Sequence, residues 1–169
     1  MESESLLVTR ALATFEKVSP PPTSPQEYTL TAEGPSGEHY VFLSAESKTE
    51  GPHTFSLQVR TEGTRRIRLQ LHDATLRGVI GDFDLGLGRV LLRPRGQVDG
   101  VDGTIQPSQQ GWFSLSLSAQ LTPGNSFLYI QLQGDDGANT FEPHGEAIRV
   151  RAVQLEWGNG PSGYRAMSK

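Results

Sequence analysis

The sequence contains no cysteine, which excludes disulfides, thiolate-held metals and cysteine nucleophiles together. Positive charge is not in surplus either: 15 Lys and Arg stand against 19 Asp and Glu, a net charge of −4. Short basic clusters such as RTEGTRR exist, but no broad basic field is available to attract nucleic acid or anionic lipid. Long apolar runs are missing. The opening MESESLLVTRALATF has acidic residues and a short apolar run, the pattern of neither a signal peptide nor a membrane span. The expectation is a chain with no nucleic-acid or membrane partner and with its compartment left open; a secreted role would require export as part of a larger assembly, or the earlier removal of a leader. Helical periodicity is scarce as well: only residues 6–18 support a helical turn or two before SPPPTSP ends it. His39, His53, His72 and His144 show no metal-binding spacing, and no Gly-x-Ser-x-Gly elbow or phosphate-cradling glycine loop occurs.

Turn residues, in contrast, are plentiful, with 19 Gly and 11 Pro. They separate short runs that alternate apolar and polar residues: HYVFLSA, HTFSLQVR, RIRLQLHD, GDFDLGLGRVLL, GWFSLSLSAQL, SFLYIQLQG and AIRVRAVQLEW. Strand after strand without intervening helix predicts an all-β antiparallel β-sandwich. At 169 residues the chain suits one core, so a single domain over 1–169 is expected, with 1–5 and 165–169 as flexible ends. Period-2 alternation sorts the faces. Ile67, Leu69 and Leu71 point inward and leave Arg68, Gln70 and His72 outward; Leu128, Ile130 and Leu132 lie beneath Phe127, Tyr129, Gln131 and Gln133. Phe113, Leu115, Leu117 and Ala119 turn in, which sets Trp112 and a row of serines outward. In the last run the apolar parity switches near Arg151 and Ala152, the mark of a bulge, and Trp157 is expected to plug the sandwich edge.

Taken in order, SGEHYVFLS, HTFSLQVRTEGTRRIRLQL, GDFDLGLGRV, GWFSLSLSA and AVQLEWGNGPSGY resemble the carbohydrate-binding-module-like jelly-roll domains of phage tail and bacterial surface-polysaccharide proteins. The resemblance spans about residues 6–166. It departs from the family pattern at Ser114, where an Arg is usual, at Ala152 and Val153, and at Trp157. It implies a jelly-roll sandwich and a glycan or polysaccharide partner, with a structural or oligomerisation module of a tail fibre or surface assembly as the alternative and a glycan-cleaving enzyme as a remote one.

Sugars are held by aromatic planes against their apolar ring faces and by planar amide and guanidinium groups on their hydroxyls. The outward set supplies both: Arg60, Arg68, Gln70, His72, Trp112, Tyr129 and Gln131 are the candidate ligand-binding residues, with Gln58 and Gln133 beside them and Tyr40 or Phe42 as further platforms. The opposing reading is a merely solvated sheet face. Trp112 follows a glycine and faces away from its strand's apolar side, as an exposed platform would. No catalytic residue and no organic cofactor is expected. A structural Ca²⁺ is the one metal considered. Asp135 and Asp136, and the similar Asp99 and Asp102, lie in Gly-rich turns with the oxygen chemistry Ca²⁺ takes, although Asp-Gly turns need no ion. Asp82, Asp84, Glu142, Glu146 and Glu156 are carboxylates of the type glycosidases use.

Overall fold

The computed structural model describes residues 7–18, 25–47 and 50–157. Among these residues, twelve antiparallel strands make two six-stranded sheets. Sheet A has the order β1 (Leu7–Ala11), β4 (His39–Ser47), β11 (Gly124–Leu132), β6 (Arg66–Asp73), β7 (Gly78–Asp84), β8 (Arg89–Arg95). Sheet B has the order β2 (Ala13–Lys17), β3 (Tyr28–Ala32), β12 (Ala147–Trp157), β5 (Gly51–Thr61), β10 (Trp112–Leu121), β9 (Asp102–Pro107). Among the described residues the one helical element is a 3-10 turn at Gln109–Gly111.

Alternation places the core between the sheets. Ile67, Leu69, Leu71, Leu128, Ile130 and Leu132 from sheet A meet Phe55, Val59, Leu117, Ile148 and Val150 from sheet B, all fully buried. Each such side chain contributes about 1.5–3 kcal/mol on leaving water, which fixes strand register because a one-residue slip would turn the whole set outward.

Residues 7–18 of the segment expected to be helical are not: they form two strands that belong to different sheets, β1 pairing β4 and β2 pairing β3. Leu12 lies between them with φ 46°, and this left-handed residue turns the chain from one sheet to the other. Its carbonyl accepts from the Glu33 amide at 2.9 Å and lies 2.6 Å from His39 Nδ1, so the crossing is tied down rather than helical. The run GDFDLGLGRVLL divides into β7 and β8 around a turn in which Asp84 Oδ1 accepts from the Gly86 and Leu87 amides.

The parity switch in β12 is a bulge. Arg151 pairs Gln58 but Gln154 pairs Ser56, one residue too many on β12, with Ala152 at φ 55°. Ile148 and Val150 before it and Leu155 after it are buried as a result. The backbone of Trp157 pairs with His53, while its side chain and the expected flexible ends lie outside the described residues. Asp73 joins the two sheets at one end of the sandwich. Its fully buried carboxylate accepts from the amides of Thr75, Arg77 and Thr122 and from both threonine hydroxyls, fastening the β6–β7 turn to the β10–β11 connection.

Candidate functional site

Cross-strand register builds the outer face of sheet A in rows. One row runs Phe42, Tyr129, Gln70, Ile80, Arg93 across β4, β11, β6, β7 and β8. The row on one side reads Ser44, Phe127, His72, Gly78, Arg95, and the row on the other reads Tyr40, Gln131, Arg68, Asp82, Leu91. Adjacent rows stand two residues apart, so the aromatic side chains of β4, β11 and β6 meet in one continuous belt. Ring centroids are 5.4 Å apart for Tyr40 and Tyr129, 5.0 Å for Phe42 and Tyr129, 5.4 Å for Phe42 and Phe127, and 5.2 Å for His72 and Phe127. Tyr40, Phe42, Phe127 and Tyr129 are each half-buried, Phe42 stacked on Phe127 and Tyr129 tilted against Tyr40 and Phe42.

The polar members are held in place around this belt. His72 is buried; its Nδ1 donates to the Asp73 carbonyl at 3.0 Å. Burial, with the Arg95 charge adding to it against the pull of Asp73, lowers its pKa and keeps the ring neutral near neutral pH. Tyr129 is pushed the other way: burial, with Tyr40 beside it, raises its pKa and keeps the hydroxyl protonated as a donor. Arg68 binds Asp82 bidentately, Nε to Oδ1 at 2.6 Å and Nη2 to Oδ2 at 2.9 Å, while Arg93 donates to Oδ2 at 2.7 Å and Gln133 Nε2 to Oδ1 at 3.2 Å. Burial tends to raise the Asp82 pKa, but the Arg68 hydrogen bonds and charge, with Arg93, outweigh it and hold the carboxylate ionised. Gln131 is nine-tenths and more buried in the same row, and its Nε2 has no partner. Next to Asp82 the face opens into a cleft of about 510 Å³, lined among others by Arg66, Asp84, Arg89, Gln133 and Asp136.

The candidate residues divide between two surfaces. Arg68, Gln70, His72, Tyr129 and Gln131 come together on sheet A, with Tyr40, Phe42 and Gln133. Arg60, Trp112 and Gln58 lie on the outer face of sheet B, on the opposite side of the sandwich. Trp112 is not an exposed platform, since only 2% of its surface is accessible. It does face away from the core, as parity requires, but the Arg151 guanidinium lies 3.9 Å from its ring centroid and that of Arg60 lies 5.3 Å away, covering the ring. Arg151 Nε is fixed there by Gln58 at 2.7 Å. Glu27 and Glu62 complete the lattice, with Arg149 within 3.4 and 3.1 Å of them and Arg60 within 3.3 Å of Glu62.

Asp135 and Asp136 are exposed, and Asp136 Oδ1 accepts from the Ala138 amide within its own turn. Among the described residues no three His, Asp or Glu side chains converge as a metal site would require. Asp84 faces Arg66 at 3.1 Å as well as its own turn, so both aspartates considered for hydrolysis serve as acceptors within the sheet. Three residues of the face escaped the sequence reading: Phe127, noted as outward but not as a platform, and Arg93 and Arg95. The last two lie on β8, which the sequence merges with β7; the Gly88 turn signal was the cue that separates them.

No protein-family model matches the chain, and no curated protein is similar to it in sequence. Solved structures do match. A family 61 carbohydrate-binding module in complex with β-1,4-galactotriose aligns over 93% of this chain and 91% of its own, with a TM-score of 0.50 and 11% identity. A structure described for promiscuous specificity among carbohydrate-binding modules of the β-sandwich superfamily aligns over 89% and 56%, with a TM-score of 0.46 and 13% identity. A family 35 module from Clostridium thermocellum aligns over 85% and 90%, with a TM-score of 0.41 and 14% identity. At 11% identity the likeness to the galactotriose-bound module speaks for architecture alone, and the fold of this chain is a jelly-roll β-sandwich like that of carbohydrate-binding modules.

Proposed function

We propose that the chain is a non-catalytic glycan-binding module whose ligand lies across the outer face of sheet A. The observation that carries this reading is the half-open belt of Tyr40, Phe42, Phe127 and Tyr129, flanked by the amides of Gln70 and Gln131 and the guanidinium groups of β8. Flat apolar rings beside planar polar groups match the two surfaces of a pyranose. The likeness in fold to a module crystallised with a galactotriose supports the same ligand class. Rows of outward residues repeat at roughly 7 Å along a strand, so the belt and the adjoining cleft offer about 20 Å, the length of an oligosaccharide rather than a single sugar. A binding role also agrees with Asp82, whose oxygens are occupied by Arg68, Arg93 and Gln133 and whose proton is lost, leaving it unfit as a general acid.

A glycan array screened with the intact protein identifies the ligand, and calorimetric titration of Tyr129→Ala against it tests the site. Loss of one stacking plane and one hydroxyl is expected to raise the Kd about ten- to a hundredfold, with thermal stability close to wild type. Unchanged affinity in a folded variant overturns the assignment to sheet A.

A further inference from the structure

The sheet A face carries more cations and donors than its own acceptors can satisfy. Arg68 and Arg93 share a single carboxylate, Asp82. Arg95 has none: its one hydrogen bond among the described residues runs from Nη1 to Gln70 Oε1 at 3.4 Å, a neutral amide at the limit of bonding distance. Register places Arg95 in line with His72 and Phe127, with only Gly78 between, so nothing with a side chain separates the guanidinium from the aromatic belt. His72 cannot neutralise it, because a neutral imidazole brings no negative charge. Across the three aromatic rows, three guanidinium groups therefore face one carboxylate, on a chain whose net charge is −4.

A neutral sugar offers hydroxyls that both donate and accept, and it needs no net charge opposite it. Spare cations and spare N–H donors complement a group that only accepts, and a guanidinium fits a carboxylate or a sulfate ester through two parallel N–H bonds. We infer that the sheet A face selects acidic glycans, with Arg95 receiving the anionic group while the ring of the same or a neighbouring sugar lies on Tyr129 and Phe127. This rests on the glycan reading of that face and adds the charge class of the ligand. Arg93 and Arg68, already bound to Asp82, orient the rest of the face.

The experiment titrates intact protein with an oligogalacturonate, its methyl-esterified form, a sulfated galactan and a neutral galactan. The oligogalacturonate or the sulfated galactan is expected to bind about tenfold or more tightly than its uncharged counterpart, with the advantage shrinking as salt rises. Whichever of the two shows the larger advantage identifies the anion as a carboxylate or a sulfate. Arg95→Gln should bring the charged-to-uncharged affinity ratio close to one, whereas Arg60→Gln on the opposite sheet should leave that ratio as in wild type. Equal binding of charged and uncharged forms overturns the acidic preference, and a ratio unmoved by Arg95→Gln overturns the role of Arg95 in it; the glycan reading stands in both cases. Failure of all four probes and of a broad array overturns both.

Discussion

On sheet B the outward cations meet carboxylates: Arg60, Arg149 and Arg151 interlock with Glu27 and Glu62 over the ring of Trp112. On sheet A the outward aromatics meet one another, and among the described residues Arg95 meets only an amide. Both faces draw on Arg, Gln and aromatic residues, yet one has closed on itself and the other has not. What separates them is how far each group's partners are already supplied by the chain. A satisfied polar lattice stabilises the sheet it covers, whereas rings and donors left half-open cost little stability to change and are free to meet a ligand. Mutations on sheet B should therefore be read out in folding, and mutations on sheet A in binding.

The sharpest break of that contrast is Trp112→Ala. Removing a buried indole and leaving Arg151 over a cavity should cost about 3–5 kcal/mol in urea unfolding, with the glycan affinity of the folded fraction unchanged. Lost affinity at intact stability would make sheet B the binding face. Next in size is Asp73, which belongs to neither face and binds the sheets together. Burial alone would raise its pKa, but hydrogen bonds from Thr75, Thr122 and Arg77 outweigh it and bring the value down to about 2. A depressed carboxylate contributes stability that is present above its unfolded pKa and lost as pH falls through the folded one. Asp73→Asn should thus cost on the order of 2 kcal/mol at neutral pH, with the gap to wild type closing between about pH 4 and pH 2. Urea melts across that range check it, and a gap independent of pH would show that the carboxylate's charge is not what matters. The smallest effect is expected from Arg60→Ala. Its ion pair with Glu62 is partly exposed, so a loss of about 0.5 kcal/mol or less and no change in glycan binding are expected, measured by thermal melts and calorimetry.

Alternation made the inner and outer side of nearly every strand legible, because the period of two depends only on neighbouring residues. Ile67, Leu69 and Leu71 are all buried and Tyr129 is turned outward, as their positions in the pattern require. Sheet membership left no such local trace. Arg60 and Arg68 stand eight positions apart in what reads as one hairpin, but β5 belongs to sheet B and β6 to sheet A, so the connection crosses the sandwich and the two side chains emerge on opposite sides. A crossing and a hairpin use similar turn residues, and only long-range pairing distinguishes them. The same limit explains Trp112: its direction was readable, whereas its cover comes from Arg151 on β12, thirty-nine positions on. β1, β2, β3 and β9 went unrecognised because they are edge or near-edge strands of five or six residues, too short for alternation to stand out, and VDGTIQP reads as a pair of turns.

The place of β12 in sheet B has a consequence for how the chain is made. β12 is the last of the described strands in sequence, yet it lies between β3 and β5, so β2 and β3 have no bonded connection to the rest of their sheet until it arrives. At about 5–20 residues per second, the ribosome needs on the order of ten seconds to pass from Ala32 to Ala147. From the completion of β5 at Thr61 to the end of that interval, the edges of β3 and β5 both lack the strand that pairs them, on the same nascent chain. Such edges invite pairing with the equivalent edges of neighbouring chains on a polysome. The yield of native protein should accordingly depend on translation rate and chaperone supply more than the stability of the finished sandwich suggests.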